Sequence, residues 1–259
     1  SRAAMALHVA EVLNRSVEDI KPQVGDTDSI GFTSNTGGSS VTFKTGWACY
    51  NAAQSVKQQM IERAAKIWEI PDEDVEYKEA VLQHKSDPEL KLTFKQIAAR
   101  MIPTGGPIGG ASGVNPPGPG PSIGVHIVDV EVDSETGKVD VLRYTAVQDA
   151  GKAIHPAYVE GQIQGGAVQG IGWALNEEYV YNDDGAMLNN SFLDYRMPTS
   201  LDLPMIDTVI VEVANPNHPY GVRGVGEVPI VPPMAAISNA IYDAIGVRMN
   251  DLPLSLIHI

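Results

Sequence analysis

The sequence predicts an α+β fold, with mixed helices and sheets and no regular strand–helix–strand alternation along the chain. Three patterns carry this expectation. Cys49, Ala53, Val56, Met60, Ala64 and Ile67 recur at spacings of three and four, which marks one face of a helix. Val128, Val130 and Val132 alternate with Asp129, Glu131 and Asp133, and Glu135-Thr136-Gly137-Lys138 turns the chain into a second strand over 139–147. Pro156 opens a helix running to about Leu175, with proline at its favoured first position.

The other elements follow in order. Residues 3–14 read as a helix and 20–26 as a short strand. A small-residue loop over 34–40 leads to the long amphipathic helix, which the pattern starts after Gly46 and Pro71 closes. Residues 74–94 read as a hairpin around Ser86-Asp87-Pro88, and 94–101 as a short helix. The Pro/Gly-rich stretch 103–121 is either a linker between two subdomains or an ordered loop over a site. Residues 177–192 read as a hairpin turned at Asn182-Asp183-Asp184-Gly185, and 206–213 as a strand. Residues 234–245 read as a last helix, stopped by Gly246.

Composition narrows the function. The 259 residues carry a net charge of −14, which opposes nucleic acid or an anionic membrane surface as partner. No stretch is read as the run of about 18 apolar residues that a membrane span needs. The single cysteine, Cys49, excludes an internal disulfide and an iron–sulfur cluster held by this chain alone. A reducing, cytoplasmic setting is the expectation.

Three segments call for a chemical explanation. The helix over 161–172 contains Gly161, Gly165, Gly166, Gly170 and Gly172, and each interior glycine costs roughly 1 kcal/mol relative to alanine. Tight helix packing would explain them, and so would a large polar cofactor lying on the glycine face, with Gln162, Gln164 and Gln169 beside it. Next, Gly221-Val222-Arg223-Gly224-Val225-Gly226-Glu227-Val228-Pro229 has alternating glycines that permit positive φ and close backbone approach. Glu227 is the one acid between His218 and Asn239 and has apolar neighbours, a setting suited to a general base; an exposed turn glutamate is the alternative. Finally, the 36–42 loop, Thr-Gly-Gly-Ser-Ser-Val-Thr, offers backbone N–H groups ahead of a long helix, an arrangement suited to phosphate.

Seven segments in order carry a family resemblance: Gly-Asp-Thr-Asp (25–28), Thr-Gly-Gly-Ser-Ser (36–40), Glu-Val-Asp-x-Glu-Thr-Gly (131–137), Asp149-Ala150-Gly151-x-x-Ile154-His155-Pro156, the glycine helix (161–172), Asp194-Tyr195-Arg196-Met197-Pro198 and Gly224-Val225-Gly226-Glu227. The chain resembles the C-terminal cofactor-binding domain of the molybdopterin-binding large subunit in the xanthine dehydrogenase/aldehyde oxidase family. That resemblance implies a molybdenum cofactor (plain molybdopterin or its cytosine dinucleotide form) whose metal is held by the pterin dithiolene, with no protein ligand. It implies hydroxylation of an electron-poor carbon of an aldehyde or N-heterocycle with water, Glu227 being the base that deprotonates the molybdenum-bound hydroxyl. Gln162 matches the glutamine beside the pterin. Gly37, Gly38, Ser39, Ser40, Val41 and Thr42 match the loop near metal and phosphate, and Gly226 adjoins the base.

The implied partners are a small-molecule substrate, the N-terminal half of the same subunit, and iron–sulfur and FAD-bearing domains or subunits, in a hetero-oligomer without nucleic acid. Residues 1–253 are expected to form a cofactor-binding domain cut at both ends and inactive alone, in which 103–121 would divide two subdomains. The hexapeptide 254–259 matches the translation of a sequencing-library adapter and is expected to be a non-native tail. The rival readings are a carbon monoxide dehydrogenase or acyl-CoA reductase branch of the same family, and a non-catalytic structural homologue.

Overall fold

The computed structural model describes residues 1–33 and 35–254, so Ser34 of the small-residue loop and 255–259 of the expected tail lie outside the described residues. The chain divides into two compact units, Ser1–Gly118 and Pro119–Ile259. The division falls inside the Pro/Gly-rich stretch.

The first unit is built on helices α1 (Arg2–Val12) and α2 (Val41–Trp68). The long helix starts five residues before Gly46, which therefore lies within it. Its packing supplies the reason: a Cβ at Gly46 would sit 2.5 Å from Nε2 of His8, a ring that α1 buries. His8 Nδ1 lies 2.7 Å from the Ala4 carbonyl oxygen, and burial pushes the imidazole below its ordinary value. Phe43, Met60, Leu82 and Ile97 fill the core of this unit.

Strands β1 (Val75–Lys78), β2 (Val81–His84) and β3 (Lys91–Thr93) form an antiparallel sheet in that order. The expected single hairpin is thus two. The missed turn is Glu79-Ala80, where both residues take positive φ (50° and 58°) without the glycine or asparagine that normally marks such a turn. Thr93 then caps α3 (Phe94–Ala99) in a capping box with Gln96, and α4 (Met101–Gly105) follows. The start of the Pro/Gly stretch is ordered on α2, since Gln59 Nε2 donates to the Gly109 carbonyl at 2.7 Å. Residues 20–26, expected as a strand, are irregular and exposed apart from part of Ile20's surroundings; Pro22 removes a ladder donor there.

The second unit is a three-stranded sheet, β4 (Gly124–Val132), β5 (Val139–Asp149) and β6 (Ile206–Val211), with β5 in the centre. The predicted hairpin pairs β4 with β5, Gly124 opposite Gln148 and Val132 opposite Val139. β6 runs parallel to β5, joined through α5 (Pro156–Leu175), so the fold contains one strand–helix–strand crossover that the sequence pattern did not reveal. Helices α5 and α6 (Pro232–Ile245) supply Ile163, Ala167, Ile171, Ile237 and Ile241 to a core closed by Tyr144 and Ala146 of β5. Facing the same side, His126 Nδ1 meets the Tyr144 hydroxyl at 2.8 Å, and burial pushes His126 down to about 4.

The 177–192 segment forms only an isolated bridge, Tyr181 with Met187, and the Asn189 side chain takes over the ladder bonds to Val180 N and Glu178 O. One 18-residue stretch, Val228–Ile245, has a mean hydropathy of 1.2, contrary to the expectation that none would approach a span. Its Pro229, Pro232 and Pro233 break it into a 3-10 turn and α6, and its Ile237 and Ile241 serve the core just described. Leu254, first residue of the expected tail, is buried, and its N–H donates to the Ala174 carbonyl at 2.7 Å.

Candidate cofactor-binding site

Helix α5 presents two kinds of glycine. Gly166 and Gly170 lie under the turn that follows Glu227. A Cβ at Gly166 would sit 2.5 Å from Pro229 Cγ, and one at Gly170 would sit 2.6 Å from Pro233 Cγ and 2.8 Å from the Ile230 oxygen. Gly172 is closed off in the same way by Pro198, at 2.7 Å. Close packing accounts for these three. Gly161 and Gly165 differ, because an added Cβ there meets nothing within 4 Å. They share an exposed stripe with Tyr158, Gln162, Gln169 and Trp173, spaced by three and four. The opposite side of α5 is the core side.

The Glu227 turn is held by a set of polar contacts, the deepest of them nearly buried (its sequence alone shows only the glycines). Asp149, at the end of β5, accepts from Gly151 N at 2.9 Å and Val213 N at 3.1 Å through Oδ1. Its Oδ2 lies 3.0 Å from Arg223 Nε, and both side chains of that ion pair are nearly buried. Arg223 also donates to the Val213 and Pro121 carbonyls at 2.9 and 2.8 Å. Asn215 Nδ2 donates to the Pro119 and Val222 carbonyls at 2.9 and 3.1 Å. Gly151, at φ +62°, bridges to Val222, and any Cβ on it would run into the Gly221 carbonyl. Of the positive φ that the loop's glycines permit, Gly221 makes use, at +73°. Gln148 of β5 reaches the loop from beneath, its Nε2 donating to the Val225 carbonyl at 3.3 Å.

Glu227 itself stands at the start of the 3-10 turn Val228–Ile230 and is exposed in this chain. The apolar enclosure expected from its neighbours is therefore not built by them: Pro229 turns inward onto α5, while Glu227 stays exposed. Elsewhere in this unit, the Tyr195 hydroxyl donates to Glu177 at 2.7 Å, and that carboxylate holds the phenol above its ordinary value. Asp194-Tyr195-Arg196-Met197-Pro198 thus fastens the 177–198 segment across Gly172.

In the first unit, the 37–42 loop enters α2. Gly38 and Ser39 take positive φ (62° and 55°), and the Ser40 hydroxyl donates to the Gly37 carbonyl at 2.8 Å. Ser40 makes no side-chain cap, so the amides of Val41 and Thr42 open a 28-residue helix without one.

Residues 1–204 match the model of the molybdopterin cofactor-binding domain family. The chain belongs to the molybdopterin cofactor-binding family. Its relatives include the gamma subunit of the 6-hydroxypseudooxynicotine dehydrogenase complex of Paenarthrobacter nicotinovorans, 32% identical over 97% of this chain and 33% of that protein. A putative xanthine dehydrogenase molybdenum-binding subunit of Escherichia coli is 33% identical over 95% of this chain and 34% of that protein. Among solved structures, a Cu,Mo-CO dehydrogenase superposes with a TM-score of 0.86 at 30% identity, covering 95% of this chain and 31% of that one. Quinoline 2-oxidoreductase from Pseudomonas putida 86 gives 0.86 at 28% identity, over 97% of this chain and 33% of that chain. The chain therefore spans about a third of the length of the relatives it matches.

The residues of this molybdopterin-binding chain fit the group that its family binds. Around Gly161 and Gly165 there is room at the backbone for a flat, polar molecule, and Gln162 supplies an exposed amide within the same stripe. The donors opening α2 suit a phosphate. Of the residues expected from sequence, Gln162, Gly226 and Glu227 belong to the second unit, where α5 packs against the turn carrying Glu227. Gly37, Gly38, Ser39, Ser40, Val41 and Thr42 belong to the first. Sequence reasoning missed Gln148, Arg223 and Asn215. Gln148 could have been found, because it shares the inward register of Tyr144 and Ala146, where a polar side chain is out of place.

Proposed function

We propose that this chain is the part of a molybdenum hydroxylase that inserts a water-derived oxygen at an electron-poor carbon of an aldehyde or N-heterocycle, with Glu227 as general base. The observation that carries the proposal is the placement of Glu227. Its turn is seated in the Gly166/Gly170 notch of α5, and the same helix offers the open Gly161–Gln162–Gly165 stripe. The bound molybdenum cofactor supplies the redox centre that takes up the electron pair. The chain's own residues do the rest. Gln162 would orient the pterin by hydrogen bonding, and the glycine stripe would admit it to the backbone; the 37–42 loop of the first unit offers N–H donors of the kind that a phosphate takes. The Glu227 carboxylate takes the proton lost as the new carbon–oxygen bond forms.

The names of the relatives, a subunit of a dehydrogenase complex and large chains of carbon monoxide dehydrogenases, support a hetero-oligomer; iron–sulfur and flavin centres on other domains or subunits, and the cytosine dinucleotide form of the cofactor, are part of the proposal on the strength of the family resemblance alone. A second reading, oxidation of carbon monoxide, is favoured by the likeness to carbon monoxide dehydrogenase large chains, one of them 31% identical over 91% of this chain. The test uses the full-length protein in ¹⁸O-labelled water, with benzaldehyde, quinoline, xanthine and carbon monoxide as separate probes. Label in a hydroxylated heterocycle or a carboxylic acid supports hydroxylation. Turnover of carbon monoxide alone moves the assignment to the second reading, and product oxygen drawn from O₂ overturns both.

A further inference from the structure

Gln148 is the one fully buried amide side chain in the sheet of the second unit, placed on the inner face of β5 after Tyr144 and Ala146. Its Nε2 donates to the Val225 carbonyl at 3.3 Å, and its Oε1 is buried with no hydrogen-bond partner among the described residues. A neutral hydrogen bond contributes about 1 kcal/mol, whereas an unsatisfied buried polar atom costs about 1–3 kcal/mol. A methionine of similar length would serve stability at least as well. The amide must therefore be explained by what it holds. That is the backbone two residues before Glu227, on a loop whose far end is already pinned by Asp149 and Arg223 at 3.0 Å. The loop is tied at Arg223 and seated on Gly166 at Pro229, and the contact at Val225 falls between these two anchors, on the backbone from which Glu227 leaves the chain.

We propose that Gln148 is a positioning residue for Glu227, acting through the Val225 carbonyl rather than by touching substrate or cofactor. This rests on the reading of Glu227 as base. The test compares full-length wild type with Gln148→Met, Glu227→Gln and the double variant. Hydrogen exchange over 221–228 is followed with and without cofactor, alongside thermal unfolding, molybdenum content and turnover of whichever probe the wild type oxidises. For Gln148→Met, the expected results are an unfolding temperature at or above wild type, unchanged molybdenum content and unchanged KM. Exchange of the Val225–Glu227 amides should rise, and kcat should fall about 10- to 100-fold, the penalty of a base displaced by a fraction of its reach. The double variant should be no slower than Glu227→Gln.

Unchanged exchange with kcat within about twofold of wild type would overturn the proposal. So would failure to fold or a lowered unfolding temperature, because the amide would then serve stability. Wild-type turnover in Glu227→Gln would instead defeat the base assignment. In that event the exchange of 221–228 in Gln148→Met still shows whether the amide holds the loop.

Discussion

At the scale of single residues, neighbouring glycines of α5 separate packing from binding. Gly166 leaves no space beneath Pro229, while Gly165 meets nothing within 4 Å. Gly166→Leu should therefore act on stability. Overpacking typically costs about 1–3 kcal/mol, so the full-length protein should unfold several degrees earlier as the Glu227 turn is pushed off the helix. Gly165→Leu should leave the unfolding temperature of the cofactor-free protein level or slightly raised, because it removes a helix glycine penalty of about 1 kcal/mol. Its effect should fall on loading, with molybdenum content down at least about tenfold, as a lost 1.4 kcal/mol of binding would give. Metal analysis and calorimetry of the two variants check both statements. Full molybdenum content in Gly165→Leu would show that the open stripe is not where the cofactor lies. From sequence, the five glycines of 161–172 admitted packing as well as binding, and their spacing set Gly161, Gly165 and Gly172 near one face and Gly166 and Gly170 on a neighbouring one, which misplaced Gly172. The division depends on where Pro229, Pro233 and Pro198 arrive from distant parts of the chain.

Among the elements, those carrying their own start and stop signals were legible. Pro156 and the 3.6-residue pattern placed α5 where it is found, the Glu135–Lys138 turn placed β4 and β5, and Gly246, at φ +75°, ended α6. Elements set by contacts were not. Gly46 argued against helix until the His8 ring explained it, and the Glu79-Ala80 turn has no residue that announces it. Residues 20–26 alternate as a strand should, but no neighbouring edge pairs with them in the described structure. The Glu227 loop is tied at one end by the nearly buried Asp149–Arg223 pair. Removing one partner of a buried ion pair costs roughly 3–5 kcal/mol, so Arg223→Met should destabilise the protein by an amount near the lower end of that range. Arg223→Lys should recover only part, since a lysine cannot hold Asp149 and the Val213 and Pro121 carbonyls together. Denaturant titration of the full-length protein, with exchange over 221–228, measures this; a loss below about 0.5 kcal/mol, ordinary for a surface pair, would contradict it.

For the whole molecule, the family was legible because seven short motifs stand in order, not because any one of them is specific. What those motifs do was only partly legible. Asp149 anchors backbone, Tyr195 holds the Glu177 carboxylate, and Pro198 closes a glycine, although all three lie in segments that the resemblance alone would assign to cofactor binding. The chain covers about a third of each relative, and in this third Glu227 is exposed while Gln162, Gly161 and Gly165 form an open stripe. In the proposed function, Glu227 removes a proton during turnover and does not hold the cofactor. The most direct measurement is therefore molybdenum and pterin content together with substrate-driven reduction of the full-length Glu227→Gln variant. Cofactor content should match wild type and the reduction rate should fall about 10²–10⁴-fold, the usual contribution of a general base. Reduction at the wild-type rate, with the cofactor in place, would contradict that role.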